Sequence, residues 1–387
     1  MPGSNVHVQL ESAHSADTRH AEAQRRVTAS MRARIKDAVR KALRGQGISG
    51  DIVIRDHDLV FHAKGATEAA ACQVTAHYGR GQQWTLWVKL GTDDLVNAEA
   101  SGAARLQAHF GKEHVIDILH EGDGVIVLPF LEGHRSVEEL INSGDRDSAR
   151  SAWKNFWGKE TGVWHLTKNP EGDYGRTSRR LSERTVEAYR HFPEWKEYAR
   201  LPMTVNQVRF PSLETLQRKA LDLLRSRPPA LVMAHGDENP ANVMVQPGRE
   251  SEFVLIDLGN AGYMDAAYSV AKAVHYVLSY VSINKLKVLS EEDRRQRINV
   301  AVRSGRLAID YDLDPLPPGS RELADIAIAA GKHFSEWEED QLFGARLAAA
   351  AFVCLWGGAP HHKGYPDLVP VLVGEAAQLS NDLYLAR

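Results

Sequence analysis

The stretch that decides the fold reads Val232-Met-Ala-His-Gly-Asp-Glu-Asn-Pro-Ala-Asn-Val-Met-Val245, and Phe253-Val-Leu-Ile-Asp-Leu-Gly-Asn260 follows it closely. Both segments are apolar, strand-like runs that deliver carboxylate or amide side chains into a loop. Asp237, Asn242 and Asp257 are the residue types that orient a hydroxyl group and hold Mg²⁺, because this hard cation prefers oxygen ligands. Together the two segments predict a site for phosphoryl transfer with Mg²⁺ as a cofactor.

His235-Gly-Asp-x-x-x-x-Asn242 and Ile256-Asp-Leu-Gly259 resemble the catalytic and metal-binding loops of the aminoglycoside phosphotransferase and choline kinase family, relatives of the protein kinases. The resemblance implies that Asp237 is the catalytic base or the carboxylate that orients the acceptor hydroxyl. It likewise implies that Asn242 and Asp257 are the Mg²⁺ ligands and that ATP is the phosphoryl donor.

An independent set of residues upstream agrees with this resemblance. Trp84-Thr-Leu-Trp-Val-Lys-Leu90 alternates like a strand, and by resemblance Lys89 is the lysine that pairs with the α- and β-phosphates of ATP. Glu99, in a predicted helix, is the carboxylate that orients this lysine. The segment Val125-Ile-Val-Leu-Pro-Phe-Leu-Glu-Gly133 resembles the hinge, where the adenine would meet backbone groups at Pro129, Phe130 and Leu131.

Two parts of the chain depart from the family pattern. The loop over the phosphates should lie near residues 62–70, which read His-Ala-Lys-Gly-Ala-Thr-Glu-Ala-Ala with a single glycine. We take Gly65 and Thr67 as candidate phosphate contacts in this loop. In the helix-capping segment that follows the metal loop, Asp265 matches and is assigned a structural role. Ser269 stands where the family has an aspartate, and we assign it no role.

These anchors predict an α+β, two-lobed, protein-kinase-like fold with a small N-terminal β-sheet lobe and a larger, mainly helical C-terminal lobe. Residues 1–28 are predicted to be a disordered or loosely ordered tail. Residues 29–131 would form the nucleotide-binding lobe, with a leading helix and about five strands. Residues 132–387 would form the catalytic and substrate-binding lobe, helical except for short strands around the two catalytic loops. ATP is expected to lie between the lobes.

Composition limits the partners and the compartment. The net charge of −3 and the pI near 6.6 give no support for nucleic-acid binding. Cys72 and Cys354 are far apart in the sequence and fit a reducing compartment. We expect no apolar run as long as the ~20 residues that are needed to cross a bilayer. We therefore expect a cytoplasmic protein without a membrane partner, and the sequence does not indicate an oligomeric state.

The acceptor is the least determined part of the prediction. By resemblance, an aminoglycoside-like or other antibiotic comes first, with a role in resistance or self-protection, and amino alcohols, sugars and hydroxy amino acids are alternatives. Residues 167–211 are expected either to form a lid over the acceptor or to bury their aromatic side chains against the larger lobe. The acidic and aromatic segment 333–341 is either a site for an amine-bearing acceptor or a solvated helix face.

A rival interpretation from another class is a pseudokinase, a scaffold that binds nucleotide without transferring phosphate. The predicted site counts against a pseudokinase, because each candidate side chain for the lysine pair, the catalytic carboxylate and the metal ligands has the chemistry that phosphoryl transfer requires. In the predicted reaction, Asp237 receives a hydrogen bond from the acceptor hydroxyl, while positioning and charge neutralisation lower most of the barrier. His235 is expected to support the loop by hydrogen bonding rather than to move protons.

Overall fold

The structure, a computed structural model, describes residues 28–62 and 70–385. Contacts within the chain divide it into two compact units. The first unit ends at Gly133 and also includes Asp257–Asn260, and the second contains the rest of the chain. Apart from Thr28, the predicted tail lies outside the described residues, and so do Gly65 and Thr67 of the candidate phosphate loop.

The first unit is built on a six-stranded antiparallel sheet with two long helices. The strands are β1 Ile52–Val53, β2 Leu59–His62, β3 Ala70–Tyr78, β4 Gln82–Leu90, β5 His120–Gly122 and β6 Val125–Pro129. Their order across the sheet is β1-β3-β4-β6-β5, and β2 also pairs with β3. The helices are α1 Ala29–Gly45 and α2 Asp93–Phe110. The unit thus has the leading helix and the sheet that the sequence predicts, with one additional strand.

The core of the first unit lies between α1 and one face of the sheet. Alternate residues of a strand point to the same face, so every second side chain in the middle of β3 and β4 is buried. Helix α1 covers this face with apolar residues that recur at helical spacing. The principal members of this core are Ile35, Val39, Leu43, Phe61, Val74, Leu86, Val88 and Val127.

The second unit is mainly helical. Its helices are α3 Val137–Asn142, α4 Arg146–Thr167, α5 Tyr174–His191, α6 Trp195–Tyr198, α7 Leu213–Arg225, α8 Ala266–His275, α9 Val281–Leu286, α10 Glu291–Arg297, α11 Ser320–Trp337, α12 Phe343–Trp356 and α13 Val369–Leu385. A π-helical turn, Tyr276–Tyr280, joins α8 to α9. With the sheet of the first unit, these helices confirm the predicted α+β class.

Short strands surround the two loops that the sequence singles out. The strands β7 Arg135–Ser136, β11 Val243–Val245 and β12 Val254–Leu255 form one antiparallel sheet, in the order β12-β11-β7. The strands β10 Val232–Ala234 and β13 Gly262–Met264 pair in another. The two loops therefore begin and end on hydrogen-bonded strands, as expected from the apolar runs.

The expectation that no other strands occur after residue 132 is wrong. The strands β8 Pro202–Val205, β9 Val208–Ser212, β14 Ile298–Arg303 and β15 Arg306–Tyr311 form a sheet of order β14-β15-β8-β9. Both hairpins turn at residue pairs with positive φ, Asn206-Gln207 and Ser304-Gly305. The two hairpins join through a parallel pairing of β8 with β15, a long-range contact that local periodicity does not reveal.

Helix α12 is the central helix of the second unit, and nearly all of its residues are buried. Among the described residues, the segment Phe343–His362 is long and apolar enough to cross a membrane by length and composition, contrary to the expectation from the sequence. However, 83% of this segment is buried within the protein, as is typical of a core helix. Both cysteines, Cys72 and Cys354, are buried free thiols.

Asp265 fixes the start of α8. Its Oδ1 accepts a hydrogen bond from the Ala267 N–H at 2.9 Å, and Arg346 Nε donates to its Oδ2 at 2.6 Å. The Arg346 side chain is 1% exposed and also pairs with Asp340. A buried guanidinium needs such partners because its desolvation is costly. Asp265 therefore both caps the helix and balances a buried charge.

We predict that Asp265→Ala lowers the free energy of unfolding by about 3 kcal/mol, since it removes a helix cap and leaves Arg346 with a single carboxylate. Urea unfolding followed by circular dichroism measures the change. Asp222→Ala is the control, because Asp222 pairs with Arg225 at the surface and its loss should cost at most about 0.5 kcal/mol. Equal effects of the two substitutions would contradict the prediction.

Candidate functional site

Lys89 is the centre of an ion-pair network in the first unit. It lies on β4, paired in register with Ala71 and Ile126 of the neighbouring strands. Its Nζ is 2.5 Å from Glu99 Oε1 and 2.6 Å from Asp257 Oδ1. Burial lowers the pKa of Lys89, but the two carboxylates outweigh burial and the pKa is raised. The ammonium is therefore charged and fixed, as a group that binds phosphate oxygens must be.

Asp257 combines an unusual backbone with an accessible carboxylate. Its φ of 61° lies in the left-handed region, which is uncommon for a residue other than glycine and is found at functional sites. The following turn, Leu258–Asn260, packs against α2, the helix that carries Glu99. The Asp257 side chain is 58% exposed, although one oxygen meets Lys89. An exposed carboxylate of this kind suits a hard cation such as Mg²⁺.

The predicted hinge residues lie at the end of β6. Pro129 is the last residue of this strand and pairs with Leu86 of β4. The Phe130 carbonyl accepts a hydrogen bond from the Glu132 N–H at 3.0 Å, and Leu131 lies between them. Since proline has no N–H, only the carbonyl group of Pro129 is suited to an adenine. The position of these backbone groups at a strand end agrees with the predicted role, which stays a prediction.

The segment His235–Asn242 forms a hydrogen-bonded loop between β10 and β11. Gly236 has a φ of 81°, which a glycine adopts without strain. His235 Nδ1 accepts the Asp237 N–H at 3.2 Å, so its Nε2 carries the ring proton and donates to the Ile256 carbonyl at 2.8 Å. The imidazole therefore ties the loop to the residue that precedes Asp257, in agreement with a supporting role.

Both carboxylate oxygens of Asp237 are held in place. Lys272 Nζ lies 2.7 Å from Oδ1, and the side-chain amides of Asn239 and Asn242 each donate to Oδ2 at 3.2 Å. Burial raises the pKa of Asp237, but the charge and hydrogen bond of Lys272 outweigh burial and lower the pKa to about 2. The carboxylate is therefore ionised and oriented at neutral pH, ready to accept a hydrogen bond.

Lys272 is a residue of the candidate site that the sequence reasoning missed. It lies on α8, and its side chain is only 14% exposed. The pKa of Lys272 is raised, because Asp237 and other neighbours outweigh the effect of burial. A sequence feature that could have revealed Lys272 is its position as the one lysine in a mostly apolar helical segment, Ala266-Ala-Tyr-Ser-Val-Ala-Lys-Ala-Val-His275. Such a lysine requires a buried partner, which the spacing alone does not identify.

A second layer of polar residues supports the backbone of the loop. Glu238 Oε1 accepts hydrogen bonds from the Gly236 N–H at 2.7 Å and from Ser269 Oγ at 2.9 Å. Burial and the neighbouring Glu238 raise the pKa of Glu160, which accepts a hydrogen bond from Trp164 Nε1 at 3.1 Å. Ser269, to which the sequence assigned no role, therefore helps to hold the Glu238 side chain below the catalytic loop.

The candidate metal ligands fit a cation that is completed by phosphates. Asn242 donates its amide nitrogen to Asp237, so its carbonyl oxygen is the atom suited to Mg²⁺. In residues 28–62 and 70–385, no group of three or more His, Cys, Asp or Glu could hold a metal ion. Mg²⁺ is commonly bound by one or two side chains together with phosphates and water. Each of these side chains can offer one oxygen to a metal ion, and their role as Mg²⁺ ligands stays a prediction.

The aromatic residues of segment 167–211 are packed rather than free. The ring of Tyr189 is 5.1 Å from that of Trp356, and the ring of Trp195 is 6.2 Å from it. Phe192 is buried as well. In segment 333–341, Glu338 pairs with Lys168 at 3.0 Å. These contacts support aromatic burial in the first segment. In the second, Glu338 is held in an ion pair, which neither of the two alternatives anticipated.

The loop, the lysine network and the α+β fold are the features that the resemblance predicts for a phosphotransferase. Residues 81–284 match the model of the phosphotransferase enzyme family, abbreviated APH. The match covers more than half of the 387 residues, and the chain belongs to this family. The resemblance seen in the sequence is thereby confirmed, with its protein-kinase-like fold class. Membership implies a small-molecule phosphotransferase that uses ATP. No curated protein sequence matches the chain significantly.

Several solved structures resemble the chain at low sequence identity. Ethanolamine kinase from Plasmodium vivax is 12% identical with a TM-score of 0.43, and the match covers 84% of this chain and 82% of that chain. An aminoglycoside-3'-phosphotransferase of type VIII is 20% identical with a TM-score of 0.42, covering 82% and 97%. Choline kinase from Cryptosporidium parvum is 12% identical with a TM-score of 0.42, covering 90% and 93%. Similarity at this level does not indicate an acceptor.

We predict that Lys272→Met destabilises the protein more at pH 7 than at pH 4.5. In the wild type, the lowered pKa of Asp237 contributes stability above pH 3.8 that is lost as pH falls towards 2. Without Lys272, burial raises this pKa, and a buried unpaired carboxylate is penalised at neutral pH and relieved by protonation. We expect the destabilisation to shrink by at least about 1.4 kcal/mol, the equivalent of one pKa unit, on acidification.

Urea unfolding at the two pH values measures this difference. Lys272→Arg, which keeps the charge, should retain the wild-type pH dependence. In an Asp237→Asn background, Lys272→Met should have the same effect at both pH values, because the titrating carboxylate is absent. A pH-independent effect of Lys272→Met in the wild-type background would show that Lys272 does not control the ionisation of Asp237.

Proposed function

We propose that this protein transfers the γ-phosphoryl group of ATP to a hydroxyl group of a small molecule. The observation that carries the proposal is the state of Asp237: an ionised carboxylate whose two oxygens are held by Lys272 and by the amides of Asn239 and Asn242. A carboxylate held in this way accepts a hydrogen bond from an acceptor hydroxyl and fixes its direction of attack.

In the proposed reaction, the acceptor oxygen forms a bond to the γ-phosphorus while the bond between this phosphorus and the leaving oxygen of ADP breaks. With a pKa of about 2, Asp237 is a weak base. It therefore orients the hydroxyl in the ground state and accepts its proton only late, when the oxygen has become acidic by bonding to phosphorus. Positioning of this kind accounts for much of the catalysis of phosphoryl transfer.

Lys89 is the proposed contact to the nucleotide phosphates, with Glu99 as its orienting carboxylate. Both are fixed by the 2.5 Å ion pair between them. Asn242 and Asp257 are the proposed Mg²⁺ ligands, and bound Mg²⁺ would neutralise charge on the phosphate oxygens. The backbone at Pro129, Phe130 and Leu131 is the proposed adenine contact.

The proposal ranks several classes of small molecule as acceptors. We rank aminoglycoside-like antibiotics first, on the family resemblance, and amino alcohols, sugars and hydroxy amino acids after them. The rival from another class, a nucleotide-binding scaffold without transfer, predicts ATP binding but no Mg²⁺-dependent turnover with any acceptor. The ionised and oriented Asp237 favours transfer, because a scaffold gains nothing from a fixed carboxylate at this place.

We predict that the protein with Mg²⁺ and ATP releases ADP and adds one phosphoryl group to a member of an acceptor panel. The panel contains aminoglycosides, peptide antibiotics, amino alcohols, sugars and hydroxy acids. Coupled ADP detection and mass spectrometry of the acceptor measure the transfer. Removal of Mg²⁺ by a chelator should abolish it, because the phosphate charge is then not neutralised.

Asp237→Asn is the control variant for this assay. It keeps the size and the hydrogen-bonding capacity of the side chain but removes the charge, so turnover should fall by about 10²- to 10⁴-fold. Binding of ATP, which depends on Lys89 in the first unit, should change little. Near-normal turnover of Asp237→Asn would refute the proposed role, and nucleotide binding without transfer to any acceptor would favour the scaffold.

A further inference from the structure

Among the residues that the structure describes, no carboxylate forms an ion pair with Arg184, a cation of the second unit. It lies on α5, and its Nη1 donates a hydrogen bond to the hydroxyl of Tyr268 at 3.1 Å. Within the described part of the chain, this neutral hydroxyl is its only hydrogen-bond partner, and no carboxylate lies within ion-pair distance. A guanidinium has several further N–H donors in a planar arrangement. Most of its binding capacity is therefore unused.

Arg184 is close to the catalytic loop. Tyr268 and Lys272 are four residues apart on α8 and so share one face of this helix. Arg184 binds the first of them and Asp237 pairs with the second. Arg184 and Asp237 therefore contact residues one turn apart on α8. Asp237 is the carboxylate that is proposed to orient the acceptor.

No carboxylate of the described residues pairs directly with Arg184. Its pKa is raised, first by Tyr268 and then by Cys354 and Asp237, while burial opposes this. The charge of Lys272 is matched by Asp237. Glu138, on α3, accepts a hydrogen bond from Tyr276, and burial raises its pKa. On α5 itself, Glu187 is half-exposed and lies 3.7 Å from His191. An unmatched cation in a partly buried position costs free energy that a bound anion would recover.

Two neighbouring titratable groups respond to the charge of Arg184. The pKa of His361 is lowered, first by burial and then by Arg184 and Lys272, while Glu187 opposes this effect and is outweighed. Burial raises the pKa of the Cys354 thiol to about 11, although the same two cations act to lower it. Arg184 and Lys272 thus act on both groups, while Asp237 and Glu238 act in the opposite sense on the Cys354 thiol.

The backbone that carries Arg184 is firmly packed. A Cβ atom added at Gly357, just after α12, would lie 2.6 Å from the Val353 carbonyl oxygen and 3.0 Å from the Arg184 Cβ. Helix α5 is thus in close contact with the end of the central helix. A binding residue mounted on such a support is held in its productive position before the ligand arrives.

We propose that Arg184 binds a carboxylate group of the phosphoryl acceptor, and that the acceptor is therefore a hydroxy acid rather than a polycation. This inference rests on the proposed function and specifies its acceptor. A guanidinium and a carboxylate form a planar pair with parallel hydrogen bonds. A polycationic acceptor would meet the like charges of Arg184 and Lys272, which act against its binding. Hydroxy amino acids and sugar acids then precede aminoglycosides among the acceptors.

The test uses acceptor pairs that differ in the carboxylate: glycerate with glycerol, gluconate with sorbitol, and serine with serinol, with an aminoglycoside as the cationic arm. Phosphoryl transfer is measured for the wild type and for Arg184→Gln. Arg190→Gln is the matched control, because Arg190 is an exposed arginine on the same helix.

The wild type should phosphorylate an acid in preference to its neutral partner. Arg184→Gln should raise the KM for that acid by about 10- to 100-fold, the equivalent of one charged hydrogen-bonding contact, and leave kcat and the neutral alcohol unaffected. Arg190→Gln should match the wild type. An equal fall in kcat for acids and alcohols would overturn the proposal and place Arg184 on the transferred phosphoryl group. Preferred transfer to the aminoglycoside, unaffected by Arg184→Gln, would also overturn it.

A binding measurement separates this inference from the proposed function. Thermal unfolding is followed with increasing glycerate, gluconate or serine and with the neutral partners. A saturable rise in Tm with an acid, absent in Arg184→Gln and present in Arg190→Gln, would support the anion site even if no transfer occurred. Absence of a saturable rise with every acid would overturn the inference, even if the enzyme phosphorylated a neutral or cationic acceptor.

Discussion

The ionisation and orientation of Asp237, in the second unit, depend on its ion pair with Lys272. Burial alone would raise the pKa of this carboxylate, and the neighbouring ammonium lowers it to about 2 instead. The position of Lys272 depends on α8, whose first turn is fixed by Asp265 and the buried Arg346. Each of these buried charged groups thus requires a partner of opposite charge, because an unpaired charge in a poorly solvated place costs much free energy. These contacts together fix the orientation of Asp237, the proposed catalytic carboxylate.

The first unit follows the same rule with a different arrangement. Lys89 stands on a strand in the interior of the sheet, where two carboxylates keep it charged although burial opposes this. Arg184 differs from the two lysines, which are both paired with carboxylates. Its guanidinium is partly buried, yet within the described residues it meets only a neutral hydroxyl. The same physical rule that explains the two lysines therefore indicates that a ligand supplies the missing charge.

Much of the candidate site was readable from the sequence, because its residues follow apolar runs at short, defined spacings. This holds for Lys89 at the end of a strand and for Asp237 and Asp257 in the loops after two others. The partners of these residues were not readable. Lys272 looked like one lysine in an apolar helix, and Ser269 like a lost aspartate. The first balances Asp237, and the second donates a hydrogen bond to Glu238.

Local periodicity in the sequence predicted the α+β class, and spacing together with the family resemblance predicted the residue types of the candidate site. Only the tertiary structure decided which charges are balanced, because ion pairing and pKa depend on distances between residues far apart in the chain. It likewise decided that Tyr189 and Trp195 pack against Trp356, and that β8 pairs with β15 in a sheet. Such contacts require a folded backbone to bring their members together.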